Sequence, residues 1–270
     1  MVRIAVIGAG NVATSLVPAM YRSGLNVAQI FSRTYSKSEK LAKIVEAVAV
    51  RSISEINANI IIISVPDDAI AEVVLSLPPN DSIVVHTSGS TDMNIFEPRR
   101  NYGVLYPLQT FSKKIPVDMF AVPIFIEGNS EKVVSKISEI AAKISNNVSV
   151  LNSTKRMMLH ISAVFSCNFF NSLLSCAFDL CHKNKINPQL LKPLVDETFA
   201  KAFASENPAK VQTGPAARGD IITIEKHIKL LENNPDYQEI YEILSKQILK
   251  KPVEHLENKL KIENESKEQF

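Results

Sequence analysis

Cysteine is scarce in this chain: three of 270 residues, Cys167, Cys176 and Cys181. No CxxC occurs, the count is odd, and all three fall in one predicted helix. That pattern argues against a disulfide framework and a zinc site, and predicts reduced, buried thiols in a cytoplasmic protein. Cys181-His182 has no matching second pair elsewhere, so it is not a metal signature. An excess of charge is lacking too. Lys and Arg number 30 against 28 Asp and Glu, a net charge of +2, which provides neither a nucleic-acid footprint nor a polybasic membrane patch. No basic segment with an apolar core and cleavage site opens the chain. The longest apolar region, residues 159–180, is interrupted by Ser, Asn, Asp and Cys, and reads as too polar for a membrane span. Internal repeats and low-complexity linkers are also missing. These absences predict a soluble, cytoplasmic protein with neither nucleic acid nor membrane as a partner.

What is present in the first half is an alternation of strand-like and helix-like segments. Strands are predicted at residues 2–7, 27–31, 47–50, 60–65, 82–86 and 103–106. Most are short β-branched runs without alternation, as expected of strands covered on both faces. Helices are predicted at 12–22, 36–46 and 68–75. A further strand at 121–126, helix at 130–144 and strand at 147–151 extend the sheet. Strand–helix–strand repetition predicts an α/β fold with a doubly wound parallel sheet.

From Ser153 the character changes. Residues 153–183 read as one helix, roughly 45 Å long at 1.5 Å per residue, apolar nearly all round. Such a helix must be buried by its own domain, by a partner subunit, or by both. Helices follow at 188–203, 221–231 and 237–249, and the charged tail from Lys251 is expected to fray. The expected division is a nucleotide-binding domain over 1–151 and an all-helical domain over 152–270 for substrate and dimerisation.

The segment IAVIGAGNVATSL, residues 4–16, ends a strand and opens a helix. Gly8, Gly10 and Ala13 fit GxGxxA: Gly8 for the tight turn, Gly10 for close approach of backbone amides to a pyrophosphate, Ala13 for helix–strand packing. With Asn11 and Val12, the helix N-terminus offers N–H donors to an anion. The end of the second strand selects among dinucleotides. An NAD site places Asp or Glu there, whereas this chain has Ser32, Arg33 and Thr34, which suit a 2′-phosphate. The expected cofactor is NADP(H). Val65 and Pro66, after the fourth strand, are expected to line its adenine–ribose side, while Asp67 and Asp68 begin a helix.

Three further segments stand out: HTSGS (86–90), YPLQTF (106–111) and TGPAARGD (213–220). Together with GAGNVA and HISAVFSCN (160–168), they make the whole chain resemble Rossmann-like proteins carrying a C-terminal helical domain of unknown function. That group lies within the 6-phosphogluconate dehydrogenase-like superfamily. Its relatives include ketopantoate reductases, pyrroline-5-carboxylate reductases, 3-hydroxyisobutyrate-type dehydrogenases and deazaflavin-dependent NADP oxidoreductases. The resemblance implies hydride transfer with NADP(H) or NAD(H) in a cleft between domains, and often dimers joined through the helical halves. The chain departs from the group in one respect: Tyr106-Pro107 stands where His-Pro is usual.

Several residues are candidates for the chemistry. His86 ends the fifth strand, where its ring either faces the cleft, as an alternative proton donor to His160, or is satisfied within a turn. Ser88 and Gly89 form a turn that suits a substrate carboxylate. His160 and Asn168 fall at i and i+8 on the long helix, with Val164 between them on one face. The resemblance implies a proton donor there, and His160 is able to supply a proton near neutral pH. The alternative is a core histidine with Asn168 at an interface. Arg218 either clamps a substrate carboxylate or pairs with Asp220, itself a good N-cap. The leading expectation is an NADPH-dependent reductase of a small carboxylated carbonyl compound, a 2-oxo acid such as a ketopantoate-like one. Imine reduction of the pyrroline-5-carboxylate type and a non-catalytic NADP(H)-binding regulator are the alternatives.

Overall fold

The computed structural model describes residues 2–249; the tail expected to fray lies outside them. Eight strands form one sheet in the order β3-β2-β1-β4-β5-β6-β7-β8. They are β1 (Arg3–Ile7), β2 (Asn26–Phe31), β3 (Val48–Val50), β4 (Ile60–Ile63), β5 (Ile83–His86), β6 (Tyr102–Pro107), β7 (Ile124–Gly128) and β8 (Val148–Val150). Helices α1 (Asn11–Arg22), α2 (Tyr35–Ile44), α3 (Ile70–Ser76) and α4 (Glu131–Ala141) connect them.

The central strands show why β-branched runs were chosen. All four residues of β4, Ile-Ile-Ile-Ile, are buried. Alternate side chains enter different cores because successive Cβ atoms point to opposite faces. Ile4, Val6 and Ile62 join Leu16, Val17 and Met20 of α1 on one face. Ala5, Ile7, Ile61 and Ile63 join Ile70 and Phe96 on the other.

The sheet is not wholly parallel. β7 runs antiparallel to β6, and β8 is parallel to β7. Between β6 and β7 only a single 3-10 turn, Met119–Ala121, forms. With no crossover helix, the chain returns beside the strand it has just left.

By packing, the chain divides into two compact units, one running to Phe170 and the next beginning at Asn171. The division therefore falls within the long helical run and not at 151/152. In the first unit that run comprises α5 (Ser153–Ala163) and a π turn over Val164–Phe169. The second unit holds α6 (Phe170–Lys183) from its second residue on, α7 (Lys192–Ala204), the short α8 (Pro215–Arg218), α9 (Ile221–Leu230) and α10 (Pro235–Ile248). Its buried residues, among those described, are only Pro188, Ala216, Ile224 and Ser245.

Two expectations for the long run are corrected. By length and composition, Ser153–Lys183 is apolar enough to cross a membrane, so its polar interruptions do not by themselves exclude a span. The thiols are free, but Cys167 is exposed and Cys176 and Cys181 are only half-buried.

Candidate active site

The strand order reverses between β1 and β4, and in open parallel sheets ligands settle at the carboxyl ends of the strands beside such a reversal. Gly8 stands there with φ +121°, and a Cβ on it would lie 1.9 Å from the Ser64 carbonyl oxygen. Only glycine permits this turn between two strands that close. The next residues start α1 without a side-chain cap on its N-terminus. The first N–H groups of the helix are therefore free to meet an anion. A Cβ on Gly10 would meet nothing within 4 Å, so its missing side chain leaves open space at the mouth of those donors.

A cavity of about 410 Å³ opens from this turn. Gly8, Gly10 and Asn11 line it on one side, Ser32, Arg33 and Thr34 at the end of β2, and Val65 and Pro66 after β4. Val12 lies half-buried and Ala13 fully buried on α1, so these two contribute helix backbone and packing, and the cavity lining comes from their neighbours. Among the lining residues that escaped the sequence reading are two cations. Lys37 stands in the first turn of α2, one turn after Thr34, a spacing that was visible. Lys113 reaches the Ala9 carbonyl oxygen at 3.2 Å across 104 positions of sequence, and Asn11 Nδ2 donates to the Phe111 carbonyl at 3.1 Å. The loop after β6 is thereby tied to the glycine turn, a closure with no local sequence signal. Three cations, a helix N-terminus and apolar walls at Ile53, Ala69 and Val73 fit an elongated ligand with phosphates and a flat ring.

A second cluster occupies the ends of β5 and β6. His86 is 0% exposed and stacks on Phe96, ring centroids 5.5 Å apart. Its Nδ1 accepts the Ser88 N–H at 3.2 Å, while Nε2 is buried without a partner. Burial, helped by the positive charge of Arg156, pushes its pKa down to about 4. His86 is therefore a neutral core ring, and its assignment as a proton donor is corrected: it neither carries a spare proton at neutral pH nor reaches solvent. Ser88 is corrected in the same way. It is buried, and its hydroxyl already accepts the N–H groups of Ser90 at 3.1 Å and Thr91 at 2.9 Å.

Gly89 lies under two side chains that do meet. The Tyr106 hydroxyl and His160 Nδ1 are 3.0 Å apart. A Cβ on Gly89 would stand 2.6 Å from His160 Nδ1 and 2.7 Å from Tyr106 Cζ, so the turn has no side chain because the pair fills that space. Burial raises the Tyr106 pKa first; the Arg156 charge acts against it and Asp67 with it. Asp67 in turn accepts a hydrogen bond from Ser90. The turn over residues 88–91 thus links the pair to the segment that lines the cavity at Pro66.

Beneath the cluster lies a buried ion pair. Arg156, 1% exposed, pairs with Glu127 of β7 and donates to the Thr91 carbonyl oxygen. Glu127 also accepts the Ser153 N–H at 2.7 Å and its hydroxyl at 2.8 Å. The start of α5 is thereby bolted to the sheet, which sets where His160 stands two turns later.

Asn168 lies exposed in the π turn, where the i→i+5 bonding interrupts the α period of the helix. Arg218 belongs to the second unit, exposed at the end of α8. Asp220 caps α9, accepting the Thr223 N–H at 3.1 Å, and that bond leads in lowering its pKa, with the Arg218 charge a lesser cause.

Residues 1–111 match the model of a Rossmann-like domain, and residues 122–248 that of a domain of unknown function, DUF2520. Protein BF3122 from Bacteroides fragilis, provisionally assigned as an NADP oxidoreductase, is 39% identical, with 93% of this chain and 98% of that chain covered and a TM-score of 0.84. This chain belongs to the family of Rossmann-like proteins with a DUF2520 domain. The DUF2520 match begins before β7, so the family's second domain includes the last two strands of the sheet. Protein TM1727 from Thermotoga maritima is 22% identical over 91% of this chain and 96% of its own, with a TM-score of 0.69. A reductive aminase from Aspergillus terreus, in complex with NADPH and ethyl levulinate, is 14% identical over 92% of both chains, with a TM-score of 0.70. At that identity the likeness is one of fold. No curated protein matches the sequence.

Proposed function

We propose that this DUF2520-family protein is an NADP(H)-dependent oxidoreductase that reduces a small carboxylated carbonyl compound, of the 2-oxo acid class. The observation that carries the reading is the end of β2: Ser32, Arg33, Thr34 and Lys37 border the cavity where an NAD site has a carboxylate. Arg33 and Lys37 hold the 2′-phosphate, the N-terminus of α1 holds the pyrophosphate, and Lys113 adds a cation beside the glycine turn. The cofactor supplies a hydride. This chain supplies orientation and, at the Tyr106–His160 pair, a proton. Assignment of the similar Bacteroides protein to NADP oxidoreductases supports the cofactor.

A second reading is reduction of an imine. The structural neighbours include an imine reductase from Myxococcus stipitatus and the Aspergillus reductive aminase, both in complex with NADP cofactors. The apolar residues left exposed on the long run, among them Phe165, Phe169 and Leu173, support a homodimer formed through the helical domain in a cytoplasmic protein, in preference to a membrane span.

Titration with NADPH and NADH by fluorescence tests the cofactor: tighter NADH binding overturns it. A panel of 2-oxo acids and cyclic imines with NADPH, followed at the nicotinamide absorbance, tests the reaction. Turnover of 2-oxo acids supports the leading reading, turnover of imines alone replaces it, and binding without any turnover leaves a regulator.

A further inference from the structure

We propose that the Tyr106 hydroxyl is the proton donor of the reduction and that His160 resupplies it, an inference that rests on the reductase reading above. His160 was the expected donor, yet its Nδ1 is engaged with the tyrosine at 3.0 Å. The tyrosine is the member set on the rigid strand, at the carboxyl end of β6 where substrates of such sheets are bound. His160 is half-buried on α5, within reach of water. The chain commits the Gly89 position to this contact, since any side chain there would collide with both rings. The groups around Tyr106 suit a donor. Burial and the Asp67 charge keep it protonated, while Arg156, locked in place by Glu127, stabilises the phenolate that forms when the proton leaves. The other histidine nearby, His86, has its Nδ1 occupied and its ring sealed in the core.

The step balances as follows. The carbon of the substrate C=O or C=N accepts a hydride from the reduced nicotinamide, and the π pair moves to oxygen or nitrogen. That atom takes the Tyr106 proton as the phenolic O–H bond breaks. His160 Nδ1–H returns a proton to the phenolate, and Nε2 takes one from water. One solvent proton is consumed, and the two electrons come from the nicotinamide.

The experiment compares wild type with Tyr106→Phe, Tyr106→His and His160→Gln in three measurements: NADPH affinity, turnover with the panel, and the titration of His160 followed by 15N NMR. Tyr106→Phe is expected to bind NADPH within twofold of wild type, to move the His160 titration midpoint, and to lose at least about 100-fold in turnover. Tyr106→His is expected to recover part of that loss. His160→Gln is expected to keep measurable turnover with a pH–rate profile of different shape from that of wild type. An unmoved His160 titration in Tyr106→Phe overturns the pair, and so does near-normal turnover of Tyr106→Phe while wild type is active; neither result touches the reductase reading. A wild type that fails to bind NADPH or to oxidise it with any substrate overturns the reductase reading, and this inference falls with it. A Tyr106→Phe protein that fails to fold leaves Gly89→Ala to decide. That variant keeps both side chains but forces them apart, and its expected loss is also about 100-fold; undiminished turnover overturns the proposal.

Discussion

The two units of this chain treat their apolar residues in opposite ways. In the first, the strands and their covering helices bury Ile, Val and Leu side chains in two cores, one on each face of the sheet. In the second, helices of similar composition leave Phe203 84% and Ile222 81% exposed. The physical difference is geometric. A sheet covered on both sides closes around its own side chains, whereas a few helices without a central layer bury little against each other. Exposed apolar side chains of that kind are the basis of the homodimer proposed above, whose surface also takes in Phe165 and Phe169 at the end of the first unit. The first unit closes around its own apolar side chains, and the second leaves much of its apolar surface uncovered.

Substitutions can sharpen or break that comparison, and the buried ion pair has most to lose. Arg156→Ala leaves Glu127 buried without its partner, for an expected loss of about 3–5 kcal/mol in urea unfolding. Leu16→Ala, in the core between α1 and the sheet, is expected to cost about 2–5 kcal/mol, against less than about 0.5 kcal/mol for Leu194→Ala on the exposed face of α7. Equal losses at the two leucines would erase the contrast between the units.

The next effect is a pH dependence. His86 titrates at about 4 in the folded chain, below its ordinary 6.5, so between those values the unfolded chain binds the extra proton. Stability contributed by the neutral ring is complete above pH 6.5 and falls as the pH drops toward 4, by about 3 kcal/mol at the limit. Melts of His86→Phe over this range should show a flatter slope than wild type. An identical slope would mean that the ring is not buried neutral. The smallest effect on the fold is expected from Phe165→Ser, within about 0.5 kcal/mol for the isolated chain. Its readout is association: sedimentation should show dimer in wild type and a shift toward monomer in the variant. Wild type that is monomeric at micromolar concentration would break the proposed homodimer.

The parts legible in the sequence were those that local rules dictate. Gly8, Gly10 and Ala13 announce a strand–turn–helix, and Ser32, Arg33 and Thr34 follow at the distance a βαβ unit sets. Both groups came together at one cavity. Asp220 was legible as a cap because its partner is three residues away. His86 was not, since the end of a strand is open ground in this fold and nothing nearby in sequence says that Phe96 and the Ser88 N–H will close over it. The π turn that carries Asn168 was not legible, because it changes the helical period without changing composition. The reversal of β7 failed because a strand's sequence carries no direction.

The sequence by itself determined the alternation of strand and helix, the turn that receives a dinucleotide, and the cations in place of an acid after β2. These follow from period, backbone freedom and charge over short spans. Only the tertiary structure decided that Lys113 closes on the glycine turn, that Arg156 and Glu127 anchor the long helix, and that Tyr106, rather than His86, meets His160 over Gly89. Those contacts join residues tens of positions apart, and which of them form is set by how the layers pack.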